Sequence, residues 1–276
     1  MTVRNDQTLK GTVVKMICNY HTHTYRCGHA KGEEREYIEK AIAEGLEVMG
    51  FSDHVPMAFP SGFRSHYRCP VELLGEYMET LTALREEYKD RIKILIGFEA
   101  EYYPAHFESM MAMLGEYGYD YLILGQHFVG NEEGEKYSGA PTDSDETLKK
   151  YVDQVITGAK TGAFTYVAHP DLINYTGDAE TYSRQMKRLC TEMKALDIPL
   201  EFNLLGFEES RNYPCERFWK IVAEVGNRVI LGCDAHRPER VADQEIISSA
   251  VVELAKYGIT PTKRVEIKDP KKYRTV

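Results

Sequence analysis

Seven short apolar runs alternate with longer amphipathic stretches along this chain, and that alternation limits its fold more than any other feature. The runs lie near 14–20, 47–52, 92–98, 119–125, 163–168, 198–203 and 229–233. Each has the length of a strand, and the intervals between them carry helical spacing, so the pattern reads as parallel strands joined by crossover helices. Glu33 to Glu44 places Tyr37, Ile38, Ala41 and Ile42 on one helical face and stops at Gly45. Val71 to Tyr88 is a long amphipathic helix, and Pro104 opens the next. A carboxylate cap at Asp143, with Glu146 three residues on, starts a helix to Thr161. A further helix spans 179–196, and Pro214 opens another. An all-parallel sheet of seven strands must hide its edges, and closing into a barrel is the simplest way to do so.

At 276 residues and 43% hydrophobic, the chain can bury a large core. Nothing resembling a linker divides it, so a single domain over 13–276 is expected, preceded by a polar N-terminal extension over 1–12. The formal charge of −9 argues against broad binding to nucleic acid or to an anionic membrane surface. An anionic small molecule stays open, because it needs only local positive charge. The six cysteines form no CxxC pair and no spaced framework, and there is no signal-peptide pattern or long apolar run. The expectation is a soluble, reduced, cytoplasmic protein, monomer or dimer.

The placement of the polar residues carries the chemistry. His21 and His23 follow the first run, and side chains two apart on an extended strand face the same side. Asp53 and His54 follow the second run, Glu99 ends the third, His127 the fourth, His169 the fifth, and Asp234 with His236 the seventh. The sixth end, Glu201-Phe202-Asn203, is also polar. The carboxyl ends of barrel strands are where such folds build their sites. Of nine histidines only His66 and His106 fall outside this arrangement or its first loop, which holds His29. Any one of these histidines alone would read as a satisfied structural residue; the set reads as a metal cluster.

Seven imidazoles with two carboxylates, Glu99 and Asp234, exceed what one ion takes and suit two or three. Nitrogen and oxygen donors favour zinc, iron or manganese, and leave Cys27, beside His29, outside the set. Three divalent ions, less two carboxylates and one hydroxide, would leave a charge of about +3 in the pocket of an acidic protein.

In this order, His21-Thr22-His23 with His29, Ser52-Asp53-His54, Gly97-Phe98-Glu99, Gly125-Gln126-His127, Ala168-His169-Pro170-Asp171 and Cys233-Asp234-Ala235-His236 resemble the polymerase and histidinol phosphatase (PHP) family. Within it the chain is most similar to the monofunctional histidinol-phosphate phosphatases, through Asp53-His54-Val55-Pro56 with Phe63-Arg64, and through Glu201-Phe202-Asn203 followed by Arg211 and Tyr213-Pro214. The resemblance implies a distorted, TIM-like (β/α)7 barrel with a trinuclear site. His21, His23, Glu99 and Asp234 would hold one ion; Glu99, His127 and His169 a second; His29, His54 and His236 the third. Asp53 would orient a ligand.

The implied reaction is hydrolysis of L-histidinol phosphate in histidine biosynthesis, by a metal-bridging hydroxide attacking phosphorus. Arg211 is the first candidate for binding the phosphoryl group, with Arg26, Arg64, Arg237 and Asn203 behind it. Asp234, Asp53 or a water would protonate the leaving group. The loop after His169 reads Leu172-Ile173-Asn174-Tyr175, where similar phosphatases often carry a basic residue. Recognition of an imidazole and an amine calls for acids and rings near the mouth, and Glu101, Asp171, Glu208, Glu209, Phe63 and Tyr67 are available. The alternatives are another phosphomonoester, a nucleotide or nucleic-acid phosphodiester, or a metal-binding regulatory module.

Overall fold

The computed structural model describes residues 15–276. The extension expected over 1–12 and the start of the first apolar run lie outside the described residues. Seven strands form one sheet: β1 (Cys18–Asn19), β2 (Val48–His54), β3 (Lys93–Ala100), β4 (Tyr121–Leu124), β5 (Phe164–Val167), β6 (Leu200–Asn203) and β7 (Val229–Gly232). They lie side by side in chain order, every pair parallel.

The sheet curls until its two edges meet. Thr22 bridges to Ala235, His23 N donates to Ala235 O at 3.0 Å, and Ala235 N donates to His21 O at 3.2 Å. Below these bonds a side chain continues the seam, Asn19 Oδ1 accepting from Cys233 N at 3.1 Å. The barrel is distorted at this seam, because β1 has only two ladder residues.

The α-helices are α1 (Glu34–Glu44), α2 (Leu74–Tyr88), α3 (Phe107–Gly115), α4 (Asp145–Lys160), α5 (Ala179–Ala195), α6 (Leu204–Glu208), α7 (Glu216–Val225) and α8 (Gln244–Ala255), joined by four short 3-10 turns. Gly45, at φ 76°, ends α1 in the left-handed region that a side chain disfavours. The cap of α4 is not Asp143: Ser144 Oγ accepts from Thr147 N at 3.1 Å. Pro104 and Pro214 stand in the turns before α3 and α7 rather than inside them. Neither α6 nor α8 is expected from the sequence. The larger apolar core lies between sheet and helices, with Phe51, Phe98, Tyr151, Phe164 and Trp219 almost fully buried. Among the described residues no helix is long and apolar enough to cross a membrane.

Inside the barrel, the alternation of side chains sorts chemistry by height. Val48, Leu95, Tyr121, Tyr166 and Ile230 fill the amino-terminal end with a second apolar cluster. Four or six residues further along the same inward rows come Glu99, Asp234, His54 and His127, and Glu201 faces inward from β6. The rows also contain Gly50, Gly97, Gly125 and Gly232. A Cβ at Gly50 or Gly97 would strike Tyr121, at Gly125 the Glu99 carboxylate, and at Gly232 the Glu201 carboxylate. Large and small inward residues therefore alternate to fit a narrow interior.

Candidate metal centre

A cavity of about 590 Å³ opens at the carboxyl ends of the strands. Its floor and walls include His29, His54, Glu99, His127, His169, Asp234 and His236, with His21 and His23 buried directly beneath. All nine residues expected to bind ions thus converge here. Glu99 lies at the centre: one oxygen is 2.7 Å from His169 Nε2 and 3.5 Å from His127 Nε2. Its other oxygen is 3.1 Å from His54 Nδ1, 3.4 Å from His21 Nε2 and 3.6 Å from His23 Nε2. Asp234 Oδ1 stands 3.0 Å from His23 Nε2 and 3.4 Å from His21 Nε2.

Carboxylates behind the rings fix which nitrogen faces inward, because an ionised carboxylate only accepts. Glu201 takes the Nδ1 proton of His21 at 2.8 Å, and Glu101 takes that of His127 at 2.7 Å. Asp53 stands 3.4 Å from His23 Nδ1 and also accepts from Thr24. Glu201 further accepts from His169 N at 3.0 Å and from Asn203 Nδ2 at 2.9 Å. Two residues of the site, His169 at φ 29° and Asp234 at φ 49°, adopt backbone conformations that a side chain disfavours. Such strain persists where surrounding bonds enforce it.

Several buried atoms have no hydrogen-bond partner: His21 Nε2, His23 Nε2, His54 Nδ1, Glu99 Oε2 and His169 Nδ1. Leaving such atoms unpaired is costly, and here they crowd together. The outer pair is still more telling. His29 Nδ1 donates to Cys27 O at 3.0 Å and His236 Nδ1 to Asp234 O at 2.9 Å, which turns both Nε2 lone pairs toward each other at 2.9 Å. Burial, then the nearby His23 charge, holds His236 down to about 3, and burial lowers His29 as well. Two neutral rings face to face through lone pairs are satisfied by a cation between them. Burial would push Asp234 up, but His21 and the bond from His23 hold its carboxyl well below the usual range. The donor set fits divalent metal ions. Groups of three donors close enough to share an ion are His21/His23/Asp234, His21/Glu99/His169, His23/His54/Glu99, His29/His54/His236 and His23/Cys27/His236, the last bringing in the thiol that the sequence leaves outside the set.

The remaining expectations divide. Arg211 lines the cavity, its Nη1 donating to Tyr213 Oη at 2.9 Å and its Nη2 2.7 Å from Glu209. Arg237 lines it too, as do Lys31 and Arg240, which nothing in the sequence singles out. Arg26 does not reach it: it is buried beside Glu34 and Glu76 at the foot of α1 and α2. Arg64 is exposed and paired with Glu72 over a different hollow. The expectation of phosphate binding is corrected for both. Asn203 is corrected as well, since its amide is spent on Glu201, Asp234 and Gly206. Asp53 is wholly buried, 3.4 Å behind His23 Nδ1, and does not line the cavity, which corrects its expected access to a leaving group. Tyr67, Glu208 and Glu209 reach the cavity, whereas Glu101 and Asp171 are buried and Phe63 faces the second hollow.

A parallel barrel whose mouth is crowded with metal-competent donors defines a class of metal-site barrel. The family model for the PHP domain matches residues 19–205, and the chain belongs to that family. It is 28% identical over 248 residues to the probable histidinol-phosphatase of Deinococcus radiodurans, covering 88% of this chain and 94% of that one. It is 29% identical over 243 residues to the histidinol-phosphatase of Lactococcus lactis, covering 80% of this chain and 85% of that one. The fold is that of the L. lactis histidinol phosphate phosphatase, whose crystal structure contains zinc, L-histidinol and phosphate. The match has a TM-score of 0.69 at 21% identity and covers 91% of this chain and 99% of that one.

Proposed function

We propose that this chain is a metal-dependent phosphomonoesterase that hydrolyses L-histidinol phosphate to L-histidinol and phosphate. The observation that carries the reading is the single cavity in which nine converging His, Glu and Asp side chains meet a rim of Lys31, Arg211, Arg237 and Arg240. The relatives named as histidinol-phosphatases support the substrate, as does the neighbour crystallised with zinc, L-histidinol and phosphate.

Two or three divalent ions, zinc, iron or manganese, would be held by His21, His23 and Asp234, by Glu99 with His127 and His169, and by His29, His54 and His236. When bound, such ions supply Lewis acidity to phosphoryl oxygens and lower the pKa of water toward ~7. The protein's own groups do the rest. Arg211, its Nε and Nη2 on Glu209 and its Nη1 on Tyr213, binds a phosphoryl oxygen through the N–H groups these bonds leave and offsets charge that develops in the transition state. Asp234, held ionised beside His21 and His23, would serve as an ion donor, and a water at the cavity mouth would protonate the departing alkoxide. Tyr67, Phe128 and Tyr137 offer rings to an imidazole, and Glu208 and Glu209 offer carboxylates to an ammonium.

The test is phosphate release from L-histidinol phosphate beside a panel of other monoesters and one diester. A strong preference for L-histidinol phosphate is expected. Preference for another monoester would move the substrate assignment, and preference for the diester would overturn the monoesterase reading.

A further inference from the structure

A buried guanidinium stands behind the cavity, on a residue the reaction does not touch. Arg68, in the loop between β2 and α2, is 4% exposed. Its Nη1 is 2.7 Å from Glu101 Oε2, and its Nε is 2.7 Å from Glu132 Oε2. Nη1 also donates to Val55 O at 3.3 Å, and Nη2 donates to Tyr67 Oη at 2.9 Å. These partners come from three places in the chain: Glu101 follows β3, Glu132 lies in the loop after β4, and Tyr67 belongs to Arg68's own loop. Only a planar fork of several donors can serve two carboxylates, a carbonyl and a hydroxyl at once.

Two of these contacts lead on to the cavity, those to Glu101 and Tyr67. Glu101 uses its other oxygen to take the Nδ1 proton of His127, which leaves His127 Nε2 facing Glu99. Tyr67, held by its hydroxyl, sets its ring edge-on to His54 at 5.1 Å and to His127 at 5.9 Å, and stacks on Phe128 at 5.7 Å. The aromatic wall of the cavity and one of its inner histidines therefore share a single support. A second bond between the same two loops, Ser61 Oγ to Glu133 at 2.7 Å, lies at the surface and touches neither.

We propose that Arg68 is a positioning residue that fixes His127 through Glu101 and the cavity wall through Tyr67, so that ion affinity and substrate fit depend on one buried side chain. The inference rests on the reading of His127 as an ion ligand. The groups supporting a ligating histidine typically matter by about 10–100-fold in metal affinity or activity.

The experiment measures zinc affinity by chelator competition, KM and kcat on L-histidinol phosphate, and thermal melting, for the wild type, R68Q, E101Q, R68Q/E101Q, R68Q/E101Q/E132Q, Y67F and H127A. R68Q and E101Q should each weaken zinc binding by about 10–100-fold, and the double variant should be no weaker than the worse single, because both act through one contact. KM should rise in R68Q and in Y67F, but not in E101Q. If R68Q alone fails to fold because Glu101 and Glu132 are left buried and unpaired, the triple variant R68Q/E101Q/E132Q, which removes all three charges, carries the zinc measurement. A double or triple variant that melts lower yet binds zinc like the wild type would overturn the inference and leave Arg68 a structural residue. Zinc binding unchanged in H127A would overturn the ligand reading and this inference with it. Zinc loss in H127A without loss in the Arg68 and Glu101 variants would overturn this inference alone.

Discussion

Gly125 and Gly232 show how closely single residues are matched at this site. Each lies where an added methyl would meet a carboxylate, Glu99 at the first and Glu201 at the second. Overpacking of this kind costs about 1–3 kcal/mol. Gly125→Ala and Gly232→Ala should each lower stability by about that amount in denaturant unfolding, and both should lose bound metal; retention of full metal content in both would show that the carboxylates can move without consequence. His127→Ala and Asp234→Asn remove donors outright, so elemental analysis and turnover should fall together, by more than the roughly 10–100-fold expected when only a ligand's support is disturbed. Residues of this kind differ in how plainly the sequence announces them. Histidines at strand ends are legible because histidine is scarce and the strand period is two. Glu201 and Glu101 were not, because a carboxylate in a row of inward positions reads the same whether it faces an ion or the back of an imidazole. The signal that could have found Glu201 is its place two residues before Asn203 on an inward row whose neighbour in β7 runs on to Asp234.

Among the elements, hydrophobic period and turn residues were sufficient for the strands and for the long helices. The seven runs became seven strands with ends shifted by a few residues, and α1, α4 and α5 began and ended close to their expected bounds. The short α6 was hidden because its five residues follow β6 without a break, so Leu204 and Leu205 look like a continuing strand. Loop arginines were the least legible: Arg26 and Arg211 have the same local character, and only the fold turns one toward Glu34 and the other toward the cavity. At this scale a cap separates stability from function. Ser144→Ala removes the acceptor for Thr147 N and should cost about 1 kcal/mol in thermal or denaturant unfolding, while kcat and KM stay as they are. A change in kcat would mean that α4 is coupled to the cavity it does not line.

For the whole molecule, the net charge of −9 and the cationic rim describe different surfaces. The chain as a whole repels anions, whereas Lys31 and Arg237 add positive charge where the strands end, beside Arg211 and Arg240, which are paired with Glu209, Glu208 and Asp243. The barrel also ties its stability to its ligands, since the unpaired atoms of His21, His23, His54 and Glu99 lie at its centre. An ion bound at a thousand times its dissociation constant adds about 4 kcal/mol per site, so chelation should lower the melting temperature and readdition of zinc should restore it. The measurement that tests the central claim most directly combines ion counting with turnover on the same samples: phosphate release from L-histidinol phosphate, followed as ions are stripped and then returned one equivalent at a time. Activity should vanish with the ions and return only as the second or third equivalent binds. Full activity in protein shown by elemental analysis to be free of metal would contradict the account.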